Sequence, residues 1–354
     1  MTGHRVFAPD HLRRVATTIV EAGGSEPAES QVVADHLVLA NLSGHDSHGV
    51  GMLPAYVRNL KAELLFPNRT PELATDHGSI LVFDGCRGYG QAVGKMAMQQ
   101  AIDRAKASGL VLMTLRNTHH LGRIGTYGEQ AVAEGLVSMH FVNVADHNPY
   151  VAPFRGAEAR FSTNPICLAM PSTDSQPQVI LDMATSKIAA GKVRVAFNAG
   201  VEVPPGSLID ADGQPTNDPG VLHREGGSLL PFGEHKGYGL SIFAELLGGM
   251  LSGGGTIQPG NPRSGSIINC MLVLLFDPRR LVEHDWMSAE LEAYVDYVKS
   301  AKATNADEPV LVPGDPERLA REARADGIAV DEESWDQILA AGEALGVERS
   351  ALEG

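Results

Sequence analysis

The order of apolar and polar residues predicts two helices at the beginning of the chain. Apolar residues recur at helical spacing through residues 9–42, as Leu12 and Val15 illustrate. Glycines at positions 23–24 interrupt the spacing, and Ser25 suits the start of a second helix. Two consecutive helices therefore precede the first motif that carries candidate chemistry.

From about residue 79 the pattern changes to short apolar runs that alternate with helices. The runs SILVFD, GLVLMTLRN and VSMHFVNV are separated by helical patterns at 91–108 and 125–134. Three later runs, PICLAMP, QVILDMA and SIINCMLVLLFD, follow irregular connections, which favours a mixed sheet over a purely parallel one. The predicted fold class is α/β (α+β), with a mixed sheet and a helical N-terminal subdomain.

These patterns divide the chain into two regions. A polar, proline-containing stretch at 67–78 places the boundary after residue 78. We expect residues 1–78 to form a helical region and residues 79–314 to form the mixed α/β domain. The charged tail, residues 315–354, has a helical pattern like that of the first region, and we expect it to pack on that region.

Composition disfavours several classes of protein. The 354 residues carry a formal net charge of −15, which argues against a surface that binds nucleic acid. No apolar run approaches the roughly 20 residues that cross a bilayer, and the N-terminus lacks the apolar stretch of a secretory leader. The three cysteines lack the spacing of a disulfide framework or a zinc site. We expect a cytoplasmic protein that contacts neither membrane nor nucleic acid.

A glycine-rich turn offers a first candidate for nucleotide binding. Gly88, Gly90 and Gly94 follow the predicted strand SILVFD with GxGxxxG spacing. A Rossmann pyrophosphate loop also needs a carboxylate about 20 residues further on, at the end of the next strand. The segment SGLVLMTLRNTHH has none there, so close packing of a helix on a strand explains these glycines better.

Two histidine motifs offer candidate acid/base chemistry. His48 lies between Ser47 and Gly49, whose small side chains permit close approach of a substrate. His119 and His120 follow the run GLVLMTL and precede a helix, where ligand sites of α/β sheets lie. Reduction of a ketone needs a proton donor whose pKa lies near the working pH, and histidine is the commonest one. Adjacent histidines of a strand point to opposite faces, so their spacing gives little support to a metal site.

Two later motifs have groups that suit a nucleotide. Asp182 ends the run QVILD, and Thr185 and Ser186 open a helical pattern, where hydroxyls and free amides suit phosphate or ribose. Ordinary helix capping explains these hydroxyls equally well. Lys236, in GEHKGYGL, precedes an apolar helix and could pair with a phosphate or a carboxylate.

The ordered series GHDSHGVGMLPAYV, NTHHLG, STNP, DMATS, GEHKGYGL and VPGDPE resembles the malate/L-lactate dehydrogenase family. This family includes ureidoglycolate, sulfolactate and diketogulonate oxidoreductases, and the resemblance spans about residues 10–325. It implies a three-layer mixed-sheet cofactor domain of the sulfolactate dehydrogenase-like type, not a Rossmann fold. It also implies a homodimer with a nicotinamide cofactor. No basic pocket for a 2′-phosphate can be read from the sequence, so we expect NAD, with NADP as the alternative.

The resemblance implies a role for each motif. His48 would exchange a proton with the substrate oxygen, supported by Ser47. Asp182 would orient or charge-stabilise His48 and also mark a cofactor-contacting segment. His120 would lie beside nicotinamide and substrate and is the base in some members, so the choice between the two histidines stays open. No catalytic metal is expected. The implied cofactor contacts are His120, Leu121, Gly122, Arg123 and Ile124; Asp182, Met183, Ala184 and Thr185; His235 and Lys236; and Pro313, Gly314 and Asp315.

One position departs from the family pattern. Many relatives carry arginine where this chain has Met52, and a guanidinium there would bind a substrate carboxylate bidentately. Arg58, Arg123 or Lys236 are candidates to replace it. Alternatively, Met52 accommodates a substrate with a larger apolar side chain. Specificity for malate is therefore less well supported than a broader 2-hydroxycarboxylate dehydrogenase.

The sequence thus predicts an enzyme that transfers a hydride between NAD(P) and C2 of a small 2-oxo or 2-hydroxy acid. A close alternative is reduction of a cyclic imine carboxylate, such as piperideine or pyrroline 2-carboxylate. From other classes, a metal-dependent hydrolase or lyase and a non-enzymatic binding protein are the competing hypotheses.

Overall fold

Strands and helices both contribute substantially to the fold. A computed structural model describes residues 3–223 and 226–354. The strands are β1 (His4–Phe7), β2 (Glu72–Asp76), β3 (Ile80–Asp84), β4 (Leu110–Thr118), β5 (Val137–Ala145), β6 (Ile166–Met170), β7 (Val179–Met183), β8 (Leu208–Ile209), β9 (Pro215–Thr216), β10 (Ser228–Leu229), β11 (Ile268–Phe276) and β12 (Ile328–Asp331). The α-helices are α1 (Pro9–Ala22), α2 (Pro27–Leu42), α3 (Leu53–Lys61), α4 (Gly90–Ser108), α5 (Gly125–Val132), α6 (Ala190–Ala199), α7 (His235–Ala244), α8 (His284–Lys299), α9 (Asp315–Ala323), α10 (Glu332–Glu343) and α11 (Arg349–Glu353). None of the helices in these ranges combines the length and apolarity that a membrane span requires.

A mixed sheet lies at the centre of the larger region. Within the described residues, seven strands pair in the order β2-β3-β4-β11-β5-β6-β7. β3 and β4 are parallel, because α4 returns the chain to the same end of the sheet, and the other neighbours are antiparallel. The central strand β11 is apolar and buried along most of its length, as a strand covered on both faces requires. The predicted mixed sheet is confirmed.

Helical segments cover both faces of this sheet. α4 and α5 pack on one face, where Met113 and Val142 belong to the large buried apolar cluster. Asn143, the residue after Val142 in β5, faces the opposite side and donates to Glu245 at 3.1 Å. Glu245 begins a π-helical segment, Glu245–Met250, that continues α7. Helix, sheet and helix therefore form three layers.

A second core joins the two ends of the chain. β1 pairs antiparallel with β12. Leu12, Leu37 and Leu53 of the first three helices share a buried cluster with Trp335 and Ile338 of α10. The C-terminal tail thus contacts the N-terminal helices.

Six short strands lie where the sequence predicts none: β8, β9 and β10 pair with one another, and the other three are β1, β2 and β12. β2 occurs inside the polar stretch 67–78 and pairs with β3, so the predicted boundary after residue 78 falls within a hairpin of the main sheet. β1 precedes the first helix, and β12 interrupts the helical tail. Side chains of β1 and β2 are mostly exposed, so no apolar alternation marks these strands.

The glycines of the apparent nucleotide-binding turn have a packing function. A Cβ at Gly90 would lie 2.3 Å from the backbone oxygen of His120, and one at Gly94 would lie 2.8 Å from the Tyr127 ring. Because these glycines have no side chains, α4 can pack closely against the turn that follows β4. Close packing, the explanation favoured from the sequence, accounts for both glycines.

A smaller unit between β7 and α7 supports α6. β8, β9 and β10 form a short antiparallel sheet. Val193 of α6 packs with Val151, Leu208 and Leu229 in a buried apolar cluster. This packing fixes the helix at one side of the cavity described next.

Candidate active site

A cavity of about 360 Å³ lies between the helical region and the main sheet. Its volume falls in the range of roughly 300–1,000 Å³ typical of small-ligand sites. The lining combines histidines, hydroxyls and apolar groups: Ser47, His48, Met52, His120, Gly122, Ile124, Val142, Val144, His147, Tyr150, Ser162, Thr163, Pro165, Ala189, Ala190, Gly191, Arg194, Leu222, His223, Ile267 and Asn269. The fold thus brings together three predicted catalytic residues, Ser47, His48 and His120.

The turn that carries His48 is fixed by the end of α2. The Asn41 side chain accepts from the Val50 amide at 2.9 Å. Gly49 makes room for this contact, because a Cβ at Gly49 would lie 2.1 Å from Oδ1 of Asn41. Nδ1 of His48 lies 3.0 Å from Oγ of Ser47, within hydrogen-bonding distance. Glycine and serine therefore hold the His48 ring at the cavity wall.

A chain of buried hydrogen bonds holds His120. Nε2 of Gln91 donates to the Tyr56 hydroxyl at 2.7 Å, and that hydroxyl lies 2.7 Å from Nδ1 of His120, within hydrogen-bonding distance. In the tautomer in which the hydroxyl donates to Nδ1, the ring proton of His120 is on Nε2. The rings of His48 and His120 stack with centroids 5.5 Å apart and an interplanar angle of 16°. The two candidate acid/base groups are therefore neighbours in one site.

Burial favours the neutral form of both histidines. It lowers the pKa of His48 to about 4, with further contributions from the charges of His45 and Arg123. Burial also lowers the pKa of His120 well below its usual value, and the neighbouring His48 adds to this effect. Above a pH of about 4, His48 is therefore a neutral imidazole that can accept a proton.

Asp182 interacts with Gly125 and Arg123. Its Oδ2 accepts from the Gly125 amide at 2.7 Å and lies 3.8 Å from Nε of Arg123. Among the described hydrogen bonds, none joins Asp182 to His48. The orienting role that the resemblance implies for Asp182 is therefore not made by a direct hydrogen bond to His48. The available link is electrostatic, because the positive charge of Arg123 helps to lower the pKa of His48.

The turn after β4 divides its residues between cavity and core. Gly122 and Ile124 line the cavity together with His120. Leu121 is fully buried in the core behind them. Arg123 is also buried, and its guanidinium pairs with Glu129 at 3.0 Å. Arg123 therefore lies behind the cavity wall.

The Thr185 hydroxyl is occupied by the protein itself. It donates to the carbonyl of Thr163 at 3.0 Å. The Thr185 carbonyl accepts from the Phe232 amide at 3.1 Å, which joins this segment to the one that begins α7. His235 and Lys236 are exposed at the start of α7 and do not line the cavity.

The remaining predicted cofactor contacts lie around β7. Met183 and Ala184 are half-buried at its C-terminal end. The carbonyl of Pro313 accepts from the Ile180 amide of β7 at 3.3 Å. Gly314, beside it, borders a crevice of only about 10 Å³. This crevice cannot hold a nucleotide in the described conformation.

Asp315 is engaged in contacts within the protein. Its carboxylate accepts from the Val312 amide at 2.9 Å and pairs with Lys299 at 3.1 Å and with Arg318. These contacts make Asp315 the stabilising residue of the turn that begins α9.

The sequence analysis does not single out Arg194, although this residue lines the cavity. Arg194 projects from α6 into the cavity, and one of its terminal nitrogens lies 3.6 Å from where a Gly51 Cβ would be. None of the proposed replacements for an arginine at Met52 lines this cavity. Arg58 borders a separate groove against α10, whereas Arg123 is buried and Lys236 is exposed. The local sequence pattern does not single out Arg194. The direction in which α6 points depends on packing against segments that are distant in the sequence.

His147 is a second cavity residue that the sequence does not single out. It follows β5, and its ring contacts Tyr150 with centroids 4.9 Å apart. Burial lowers the pKa of His147. In residues 3–223 and 226–354, no three His, Cys, Asp or Glu side chains come together as ligands for a metal ion.

The chain is similar to known dehydrogenases over nearly its whole length. The family model described as malate/L-lactate dehydrogenase matches residues 7–339. The chain belongs to this family. Hydroxycarboxylate dehydrogenase B of Escherichia coli (strain K12) is 42% identical over 356 residues, which cover 99% of this chain and 97% of that protein. L-lactate dehydrogenase of Cupriavidus necator is 42% identical over 336 residues, which cover 95% and 96% respectively.

Solved structures in the malate/L-lactate dehydrogenase family share the fold. Sulfolactate dehydrogenase from Methanocaldococcus jannaschii superposes with a TM-score of 0.84 at 29% identity, covering 98% of this chain and 99% of that chain. The predicted family and the predicted sulfolactate dehydrogenase-like fold are confirmed. The Δ1-pyrroline-2-carboxylate/Δ1-piperideine-2-carboxylate reductase of Pseudomonas putida is a more distant relative, 31% identical over 327 residues that cover 91% of this chain and 92% of that protein.

Proposed function

We propose that this chain is an NAD(P)-dependent dehydrogenase of small 2-hydroxy acids, with His48 as the acid/base. The observation that carries the proposal is the pair of stacked histidines, His48 and His120, in one cavity of small-ligand size. The names of the hydroxycarboxylate and L-lactate dehydrogenases among its relatives support the same substrate class.

The two histidines have complementary roles in this proposal. Nδ1–H of His48 donates to Ser47, which leaves Nε2 free to accept the hydroxyl proton of the substrate. The C2–H and O–H bonds break and the carbonyl forms, so a hydride leaves C2 while the proton moves to His48. Nε2–H of His120, whose tautomer the Tyr56 hydroxyl fixes, donates to the substrate oxygen as negative charge develops there. In the reverse direction His48 returns the proton.

The cavity fits the reactive end of a nicotinamide cofactor. Ile124, Val142 and Pro165 supply apolar surface that suits a flat aromatic ring, and the histidines share this cavity. When bound, NAD(P) would accept the hydride from C2. A volume of about 360 Å³ admits the ring and a small acid but not a whole dinucleotide. We assign the outer, anionic part to the exposed segment with His235 and Lys236, and NAD is our first choice of cofactor.

Substitution of each histidine tests the division of roles. We expect His48→Ala to lower kcat by about 100- to 10,000-fold, the usual contribution of a general base, and His120→Ala to lower it less. The assay follows the absorbance of reduced nicotinamide with lactate and longer 2-hydroxy acids, using NAD and NADP. His77→Ala, which removes an exposed histidine that is not part of the cavity lining, is the matched control. Unchanged turnover in the His48 variant would contradict the assignment, and a larger loss in the His120 variant would reverse the two roles.

A second candidate is reduction of a cyclic imine carboxylate. It is favoured by the pyrroline/piperideine-carboxylate reductase among the relatives. In that reaction His48 would deliver a proton to nitrogen instead of oxygen. A higher kcat/KM for piperideine-2-carboxylate than for any 2-oxo acid would select this second candidate.

A further inference from the structure

Arg194 is held in the cavity by the packing of its own helix. Val193, its neighbour, anchors α6 in a buried apolar cluster. At the start of α6, Gly191 touches the catalytic turn so closely that a Cβ there would lie 2.4 Å from Cβ of Ser47. One turn further along, the Arg194 guanidinium reaches Gly51 and shares the cavity lining with Met52. Its position relative to His48 is therefore set by the fold.

Within residues 3–223 and 226–354, no salt bridge or side-chain hydrogen bond joins the guanidinium of Arg194 to another residue. Two other arginines near the site differ in this respect: Arg123 pairs with Glu129, and Arg324 pairs with Asp46. Arginine side chains in a lining usually face an anion or a carboxylate, so an unpaired one implies a ligand that supplies the negative charge.

The charge of the cavity favours a single anion. Its described lining contains no Asp and no Glu, and Arg194 is the one Lys or Arg side chain in it. Burial lowers the pKa values of His48, His120 and His147, three of the four histidines in the lining, so these three add no positive charge at neutral pH. The rest of the lining is largely apolar, with Met52, Ile124 and Val142 among its members. One guanidinium in such surroundings suits one carboxylate and an apolar side chain.

We propose that Arg194 binds the substrate carboxylate and that this enzyme therefore prefers monocarboxylic 2-hydroxy acids with small apolar side chains. The proposal rests on the proposed function. The planar guanidinium donates two parallel hydrogen bonds to the carboxylate, which orients C2 and its oxygen toward the two histidines. Arg194 is thus a substrate-binding residue on α6, in place of an arginine at position 52.

The decisive experiment compares a carboxylate with its neutral ester. Pyruvate and methyl pyruvate are reduced with NADH by the wild type and by Arg194→Met, Arg194→Lys and Lys192→Met. Lys192→Met is the matched control, because it removes an exposed charge from the same helix outside the cavity lining. For Arg194→Met we expect kcat/KM to fall about 100-fold with pyruvate and less than about threefold with methyl pyruvate. Arg194→Lys should recover part of the loss, because it retains the charge but not the paired donors.

Two binding measurements separate the possible failures. NADH affinity, titrated by fluorescence, should be the same in the wild type and Arg194→Met. A loss of NADH affinity together with equal losses of kcat/KM for pyruvate and methyl pyruvate would assign Arg194 to a cofactor phosphate and overturn the proposal.

Oxamate, an unreactive analogue of a 2-oxo acid, should bind the wild type and not Arg194→Met in calorimetry. If no 2-oxo acid is turned over by the wild type, the proposed function fails, while selective oxamate binding would still support Arg194 as a carboxylate site. Equal oxamate binding by both proteins would overturn the proposal that Arg194 binds the substrate carboxylate.

Discussion

At the scale of single residues, the site depends on what holds each histidine ring. Ser47 lies beside His48 in sequence, so this contact is local. The support of His120 is not local: Tyr56 comes from α3 and Gln91 from α4, and both are buried. A hydroxyl that already accepts from an amide has its proton available for the imidazole. Tyr56 is therefore a positioning residue that acts through His120.

Removing this hydroxyl should affect the chemistry more than the fold. In Tyr56→Phe, Nδ1 of His120 loses its donor, and the ring is free to adopt the other tautomer or to turn. We expect kcat to fall about 10-fold with little change in KM, because a transition-state contact is weakened. Steady-state kinetics and the melting temperature check both parts of this prediction. Tyr89→Phe is the control, because the Tyr89 ring packs edge-on against Tyr56 but its hydroxyl bonds to neither histidine in the described structure. Equal losses in both variants would show a general packing effect.

Met52 offers a test of substrate size and charge. It lies in the cavity lining beside Arg194 and contributes an apolar surface. In Met52→Arg, a second guanidinium would be available for a second carboxylate. We expect the ratio of kcat/KM for malate to kcat/KM for lactate to rise about 10-fold or more. Met52→Leu retains an apolar group of similar size and should leave this ratio unchanged. A rise in both variants would mean that cavity shape, not charge, selects the substrate.

At the scale of secondary-structure elements, the geometry of the proposed active site depends on how closely α6 approaches the turn before α3. Gly191 makes this approach possible, because any side chain there would collide with Ser47. The helix and the turn are far apart in sequence, so their contact depends on the unit formed by β8, β9 and β10. α6 therefore couples the position of Arg194 to that of His48.

A methyl group at position 191 should disturb this coupling. For Gly191→Ala we expect kcat/KM to fall at least about 10-fold, since a displacement near 1 Å at the reacting groups costs this much or more. The free energy of unfolding should fall by about 1 to 2 kcal/mol, because the added methyl group must displace Ser47 and the higher helix propensity of alanine offsets only part of that cost. Gly239→Ala, in α7, is the matched control: nothing lies within 4 Å of its added Cβ. Wild-type kinetics in Gly191→Ala would show that α6 can shift without consequence.

The elements also show how far the sequence alone can predict the structure. β3, α4 and β4 have clear strand and helix periodicity, so their existence and order are predictable from the chain. The location of His120 is predictable too, because it follows a buried strand. β1 and β12 have no comparable signal, since each forms only by pairing with the other end of the chain. The position of Arg194 likewise depends on contacts between segments distant in sequence, which no local pattern records.

At the scale of the whole molecule, buried neutral histidines link stability to pH. His36, His119 and His140 are each at most 5% exposed, and burial lowers the pKa of each to about 3. Two of them accept hydrogen bonds that need a neutral ring: His36 from the Arg123 amide at 3.0 Å and His119 from Asn59 at 2.9 Å. These three histidines therefore stabilise the core, whereas His48 and His120 line the cavity.

The sign of the pH effect follows from the lowered pKa values. In the unfolded chain these histidines titrate near 6.5, whereas in the folded protein they stay neutral down to about pH 3. Unfolding therefore takes up protons between these limits, and stability present above pH 6.5 is lost progressively as the pH falls. Near pH 5, each such histidine contributes a slope of about 1.4 kcal/mol per pH unit.

His140 allows this linkage to be measured without touching the site. Its Nε2 pairs with Ser138 at 2.9 Å inside the sheet, and its ring lies outside the cavity lining. His140→Gln removes one titrating group while retaining a polar side chain. Urea unfolding at several pH values between 4.5 and 7.5 should show the variant losing stability less steeply with acid, by about 1.4 kcal/mol per pH unit near pH 5. Catalytic activity at pH 7.5 should match the wild type, because the variant leaves His48 and His120 in place. Parallel stability curves for the two proteins would mean that His140 does not resist protonation in the fold, and acid sensitivity would then have to arise from the other buried histidines.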